Sequence, residues 1–419
     1  MLDKLYHNTP SKLNWPKEFI FPYYGGRSIA DIPASIADSL GLGLDLGGGL
    51  EPDLLIKTKG VDRVLLLLVD GLGFLNLQQI LAKEDSFLKT IAGGKISPIT
   101  SIFPSTTCVA TTSFWVGGQG PAQHGLVAFN ALLADYGLMG NLLFWQPWGK
   151  YGFAGGSLET YGLQAESFLP VPSFAHLLAE KDIPTRVLMP QGIDRSPLSR
   201  LQMRGAEVRP YTNATDMWWQ MGQWLKTTKG QRGYGYTYYP DIDSLYHREG
   251  VETHVDSLWP QLWQEFTYQL TSFLERYRQF GKKTLFIITA DHGHISTPLN
   301  KRIYLDDHPE FLSHLNNLPG GEARGLILYL RHGHEEALKD YFERHFSEVA
   351  YLWKSSDLLE AGLFGSSQAI HPDALRRLGD YWLIPKEHDY FWFRPQKDKA
   401  CSLGKTRWAI ARRNDRALD

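Results

Sequence analysis

Two stretches of this 419-residue chain limit its fold more than any other: Arg63-VLLLLV-Asp70 and Thr284-LFIIT-Ala290-Asp291. A strand with one wet face alternates polar and apolar side chains. An uninterrupted apolar run of this length is instead a strand covered on both faces. Covered strands alternating with helices make a mostly parallel α/β sheet. Ligands of such sheets bind beyond the carboxyl ends of the strands, and both runs end there in an aspartate.

The remaining pattern supplies the alternation. Helices are predicted over 76–82, from Pro104-Ser105-Thr106-Thr107 to Gly117-Gly118, over 174–180, over 215–225 and over 254–280, where Leu258, Leu262, Phe266, Leu270 and Leu274 recur at every fourth residue. Strands are expected over 96–103, 185–189 and 234–239, the last delivering Asp241 and Asp243. The run 324–331, a helix over 335–345 and a strand over 349–353 read as a small α+β insertion, after which Arg377-Leu378-Gly379-Asp380-YWLI returns to the sheet. The expected organisation is a loop-rich arm over 1–60, a core over 61–298 with a cap insertion about 130–230, a second cap insertion over 299–374, and a return strand with an atypical tail over 375–419. The glycine-rich Gly41 to Gly49 has no strand before it and no Gly-Lys-Ser/Thr after it, so it reads as surface rather than as a phosphate loop.

Composition excludes some functions. A net charge of -2 offers no basic face for bulk nucleic acid. Cys108 and Cys401 are too few for a disulfide framework, and Cys108 reads as a small core residue. The first residues lack a basic segment followed by an apolar one, so no secretory signal is expected. The longest apolar run, 64–69, is far too short to cross a bilayer. A cytoplasmic protein acting on a small molecule is the expectation, and 13 Trp and 20 Tyr suit both a core and a substrate cleft.

The chemistry-bearing residues share one end of the expected sheet. Asp70 is either a turn residue or a carboxylate placed to bind a metal. One of Ser105, Thr106 and Thr107 is expected to cap its helix, while a threonine hydroxyl aimed from that N-terminus could attack phosphorus, with the helix amides holding phosphoryl oxygens. Asp243-Ser-Leu-Tyr-His247 puts a carboxylate and an imidazole on one helical face, able to share an ion; Asp241 competes at a poorer spacing. Asp291-His292-Gly293-His294 is the strongest local signal, because ligand types emerging from an apolar strand need compensation that a metal supplies. His124-Gly125 reads as a structural turn. Together these carboxylates, imidazoles and one hydroxyl are what two adjacent divalent metals and a nucleophile require.

VDG at 69–71, FPSTT at 103–107, PAQHG at 121–125, YYPDID with His247 at 238–247, TADHG at 289–293 and RLGD at 377–380 resemble, in this order, the alkaline phosphatase superfamily, in its type I phosphodiesterase/nucleotide pyrophosphatase branch. The resemblance implies a three-layer α/β sandwich with cap insertions. It makes Thr107 the nucleophile, standing ten residues before Gly117, with Val116 where the family has a threonine. One metal would take Asp70, Thr107, Asp291 and His292. The other would take Asp243, His247 and a histidine near the C-terminus. Asn130, one position later than the family's asparagine, is the candidate to hold a phosphoryl oxygen. Zinc suits the donor set, with manganese second. The implied reaction is hydrolysis of a phosphodiester, pyrophosphate or phosphomonoester through a phospho-threonine. Other superfamily chemistry is the alternative: phosphonate or sulfate ester hydrolysis, or phosphosugar mutation.

The tail departs from the family. It reads CSLGKTRWAIARRNDRALD, with no His-Gly segment before an acidic Pro-Glu-Glu stretch, and His371 and His388 stand in other surroundings. Codons for Gly404 to Asp415, read one base later, can spell GKHGGLSPEEM. A frameshift is therefore a candidate origin of this tail. A site short of one histidine should bind its ion weakly, and a catalytically impaired metal-binding protein is the second alternative.

Overall fold

The computed structural model describes residues 2–54, 60–82, 96–150, 152–153, 155–251, 258–394 and 406–408. Its centre is a parallel sheet of five strands: β1 (Arg63–Val69), β2 (Thr185–Pro190), β3 (Glu207–Tyr211), β4 (Gly233–Tyr239) and β5 (Thr284–Thr289), in the order β3-β2-β4-β1-β5. Among the helices that flank it or follow its strands are α1 (Ile32–Ser39), α2 (Phe74–Leu81), α3 (Thr107–Trp115), α4 (Ala214–Thr227), α5 (Asp241–Glu249) and α6 (Trp259–Tyr277).

All seven residues of β1 are buried, and successive side chains point to opposite faces. Val64, Leu66 and Leu68 pack in a core with Ile36 of α1 and Val109 and Phe114 of α3. Leu65, Leu67 and Val69 pack in a second core with Met217 and Trp224 of α4 and Trp263 and Leu270 of α6. The result is the three-layer α/β sandwich that the unbroken apolar run requires.

A second sheet of eight strands has the order 350–354, 381–385, 325–328, 320–322, 130–133, 138–141, 146–149, 152–153, with every neighbouring pair antiparallel. The strand expected to return to the parallel sheet, Tyr381–Pro385, lies here instead. Its apolar run is covered on both faces, by Phe103 and Phe364 over Trp382 and by Leu338 and Phe342 around Leu383. Periodicity reports that a strand is covered, not which sheet it joins.

Other expectations need correction. Residues 96–103 form no strand: Thr100 makes a single bridge to Ser28, and Pro98 lacks the amide that a ladder needs. The expected cap over 130–230 contains β2 and β3, which belong to the parallel sheet. The 1–60 arm is partly core. Trp15, Phe19 and Phe21 pack with Ile327 and Trp382 of the second sheet, and Ile29 and Ile36 pack beneath α3. Its Gly41 to Gly49 stretch has no buried residue, as expected of surface, although Leu42, Leu44 and Leu46 pack part-buried against the core. The first part of the helix expected over 254–280 lies outside the described residues, as does Cys401. Cys108 is fully buried, as expected of a core residue. Among the described residues no helix is long and apolar enough to cross a membrane.

Candidate metal centre

Leu68 of β1 pairs with Tyr238 of β4 on one side and with Thr289 of β5 on the other. Asp70 and Asp291, each two residues further along, therefore leave the sheet at one level. The Asp70 amide donates to the Tyr239 carbonyl at 2.9 Å, and the Tyr238 hydroxyl donates to Asp70 Oδ2. Asp291 Oδ1 accepts from the amides of Gly71 at 3.2 Å and His292 at 3.0 Å. One oxygen of each carboxylate is thus tied to the scaffold. The others, Asp70 Oδ1 and Asp291 Oδ2, are buried without a hydrogen bond and lie 3.1 Å and 3.6 Å from His292 Nε2.

The two turns that carry these groups interlock. A Cβ on Gly73 would stand 2.5 Å from the Gly293 Cα, and one on Gly71 (φ +73°) would stand 2.5 Å from His294 Cε1. The Asp-Gly-Leu-Gly and Asp-His-Gly-His spellings are therefore one packing requirement as well as a donor set. Asn76 of α2 locks the second turn, accepting from the His294 amide at 3.2 Å and donating to its carbonyl at 3.4 Å.

Thr107 opens α3, a helix whose nine residues are all buried although four are Thr or Ser. The polar groups are satisfied internally: Thr111 and Thr112 donate back to the carbonyls of Thr107 and Cys108, and Gln202 donates to both hydroxyls at 2.9 Å and 2.8 Å. Thr106 is the N-cap residue, but its side chain makes no capping bond. Thr107 Oγ1 lies 3.0 Å from His292 Nε2, which joins the threonine to the Asp70, Asp291 and His292 group.

The second group forms on α5 and on the short strand β6 (His294–Ser296). Asp243 Oδ1 lies 3.3 Å from His247 Nε2, one helical turn on, and 3.1 Å from His294 Nε2. The same oxygen is 4.0 Å from His292 Nε2, so Asp243 stands between the two groups. Asp241 is exposed and turns to Tyr239, leaving the competition to Asp243.

Asn130 lies on the strand Asn130–Leu133 of the second sheet, donating to the Gly321 carbonyl at 3.0 Å and accepting from Asn141 at 2.9 Å. His124 is the structural residue expected: it closes a short helix before Gly125 and holds Ser113 at 2.9 Å. Neither late histidine joins the donors. His371 accepts from the Asp373 amide, and His388 meets the Ser296 carbonyl at 2.8 Å. Sequence reasoning missed Tyr238, Asn76 and the proximity of His294 to Asp243. A signal for the last existed, since residues two apart in extended chain share a side and His292 was already singled out.

The charges are unbalanced without a cation. Burial pushes the Asp291 carboxyl far above its usual range, and Asp70 beside it adds to the effect. Burial works against a charged His292, but Asp291 and Asp70 outweigh it and hold the imidazole up at about 10. Burial also opposes ionisation of Asp243, yet the nearby imidazoles of His247 and His294 bring it below the carboxylate range. Burial lowers His294 and favours its neutral form. Buried carboxylate oxygens without hydrogen bonds, facing imidazole nitrogens, fit divalent cations. Among the described residues two donor sets have their atoms within 4.8 Å of one another: Asp70, Asp243 and His292, and Asp243, His247 and His294.

The sequence profile of the type I phosphodiesterase / nucleotide pyrophosphatase family matches residues 64–409. No sequence match was found among curated proteins. Among solved structures, murine ectonucleotide pyrophosphatase / phosphodiesterase 5 aligns with a TM-score of 0.58 at 14% identity, over 82% of this chain and 83% of that one. An inactive variant of it, with alanine in place of one threonine, solved in complex with AMP, aligns at 0.59 and 14% identity over 83% of each chain. Phosphonoacetate hydrolase from Sinorhizobium meliloti 1021, in complex with phosphonoformate, aligns at 0.53 and 13% identity, over 86% of this chain and 91% of that one. At such identities the likeness is one of fold, and that fold is alkaline-phosphatase-like.

Proposed function

This chain belongs to the type I phosphodiesterase / nucleotide pyrophosphatase family, and from that premise we propose a hydrolase of small phosphodiester or pyrophosphate substrates that works through a phospho-threonine at Thr107. Asp70, Thr107, Asp291 and His292 would hold one divalent cation, and Asp243 and His247 would hold the other. Zinc suits this oxygen and nitrogen set best, with manganese second. When bound, such cations supply charge for the phosphoryl oxygens and favour the ionised forms of the attacking hydroxyl and water.

The observation that carries this reading is the place of Thr107. Its hydroxyl stands at the amino end of a buried helix, 3.0 Å from His292 Nε2, on the side where the Asp70 and Asp291 oxygens converge. Thr107 Oγ1 attacks phosphorus in line with the leaving oxygen, and its proton ends on the departing group, carried there by solvent water. The bond to the leaving group breaks as the Thr107 ester forms. The first amides of α3 face the oxygens of the transferred group, where the helix dipole favours negative charge. Water then attacks the same phosphorus from the vacated side and restores the hydroxyl. The inactive threonine-to-alanine variant of the murine neighbour supports a threonine in this role. Asn130 has one side-chain N–H beyond its bond to Gly321 and is assigned to a phosphoryl oxygen.

The test is a turnover screen of bis-p-nitrophenyl phosphate against p-nitrophenyl phosphate, with zinc or manganese added. Preference for the diester is expected, together with phosphate trapped on Thr107 after acid quench. A purely monoester activity, or label found on another residue, would overturn the proposal.

A further inference from the structure

We infer that His294 is the third protein ligand of the second cation, completing the set begun by Asp243 and His247; this rests on the two-cation reading above. The sequence comparison expects that ligand from a histidine close to the C-terminus, and the tail of this chain has none. The late histidines do not fill the gap: among the described residues, neither His371 nor His388 belongs to a donor set with Asp243 and His247.

Three observations support His294. The first is geometric. Its Nε2 is 3.1 Å from Asp243 Oδ1, and the donor atoms of Asp243, His247 and His294 all lie within 4.8 Å of one another. The second is the proton. His294 Nδ1 lies 3.3 Å from the Gly71 carbonyl, which can only accept, so Nδ1 carries the hydrogen and Nε2 presents a lone pair. Ligating histidines are commonly held this way, the other ring nitrogen donating to a carbonyl or carboxylate. Nε2 and Asp243 Oδ1 then face each other as two acceptors, both buried and both without a hydrogen bond. A cation resolves that juxtaposition. The third is rigidity. Asn76 holds the amide and carbonyl of residue 294, and the ring packs 5.0 Å from Tyr246 and 5.1 Å from His247.

The backbone of 406–408 pairs antiparallel with β6, Thr406 opposite Ser296. The shifted reading would put a histidine at position 406, beside the same strand. His294 therefore supplies from the core side what the tail would otherwise supply from the edge.

The experiment is zinc content by elemental analysis and zinc-edge anomalous diffraction on the full chain, repeated on His294→Gln. The expected result is two zinc ions per unaltered chain, one with His294 Nε2 at about 2.0–2.1 Å. His294→Gln is expected to keep the ion at Asp70, Asp291 and His292, which also reports that it is folded, and to bind the other more than about tenfold more weakly. An unaltered chain without zinc at either group refutes the two-cation reading itself. Two ions with the second beyond bonding distance of Nε2 refute His294 alone. So does a variant that binds both ions unchanged, or one that loses both while keeping its circular dichroism. If the variant does not fold, the anomalous map of the unaltered chain decides.

Discussion

Replacing Gly73 by alanine isolates the contact that sets the spacing of the donors. Gly73 has φ −61° and ψ 152°, values any L-residue adopts, so the substitution strains no torsion. What it adds is one methyl carbon, 2.5 Å from the Gly293 Cα, where ordinary contact begins at 3.4 Å. The neighbour is backbone and cannot swing away, so the Asp70–Gly73 and Asp291–His294 turns must part by about 0.9 Å, the difference between those two distances. Metal–ligand distances tolerate only about 0.2 Å. The expected loss of zinc affinity is on the order of 10–100-fold, equivalent to about 1.4–2.7 kcal/mol. Overpacking should cost about 1–3 kcal/mol of folding stability in the metal-free chain. Competition with chelators of graded strength measures the first quantity, and urea unfolding in excess chelator measures the second. Gly149→Ala is the control, since its Cβ would meet nothing closer than 3.9 Å. Zinc affinity of Gly73→Ala within twofold of the unaltered chain would show that the turns do not set the donor spacing.

Thr107→Ala should abolish turnover and keep most bound zinc, whereas Thr106→Ala, whose side chain makes no capping bond, should keep both; the reverse pattern in a diester assay would move the nucleophile by one residue. Asp70→Asn and Asp291→Asn should each lower zinc content measured by elemental analysis, because each removes charge from the same ion, and unchanged stoichiometry in both would contradict the two-cation reading. Burial, with the charges of His371 and Arg377 adding to it, brings the His124 pKa down to about 3. The unfolded chain therefore takes up a proton that the native one refuses. The contribution is complete above pH 6.5 and falls by about 1.4 kcal/mol per pH unit as the pH drops from there toward 3; urea midpoints between pH 7 and 5 should show a shallower slope in His124→Gln, and an identical slope would refute this. Given His294, a chain with the GKHGGLSPEEM tail should hold the second zinc little more tightly than this one, and a gain of a hundredfold would restore the ligand-short site expected from the sequence.

The central sheet was legible because the apolar run Val64 to Val69 admits one interpretation, coverage on both faces; the similar run Leu285 to Ile288 was expected to be equally buried, but it forms the edge strand and is only half-buried. Asp70, Asp291 and His292 were legible for the same reason, since polar groups closing such runs need a physical cause. Tyr381–Pro385 was not, because an apolar strand carries no mark of the sheet it joins. The buried 15–40 segment was missed because Trp15, Phe19 and Phe21 sit in turns without period, while Ile32, Ile36 and Leu40 mark a helix of only eight residues. His294 was in view but had no assigned part. Its role depends on β6 running beside α5, a tertiary fact that spacing along the chain does not encode. Tyr238 acts by donating one bond and Asn76 by accepting one and donating another, from positions that read as ordinary strand and helix.

The order β4-β1-β5 has a consequence for how such a molecule can change. Asp243 follows one strand, Asp70 its neighbour and Asp291 the next, so the donors sit on a scale ruled by the interstrand repeat of about 4.8 Å. Backbone hydrogen bonding along three strands fixes that coarse scale, and a replacement such as Gly73→Ala shifts the donors only by a fraction of it. The loops between the strands of the second sheet lie off that scale. On the reading proposed above, loops off that scale can be recut while the spacing of Asp70, Asp243 and Asp291 stays constant, so that what is cleaved can drift far while how it is cleaved does not.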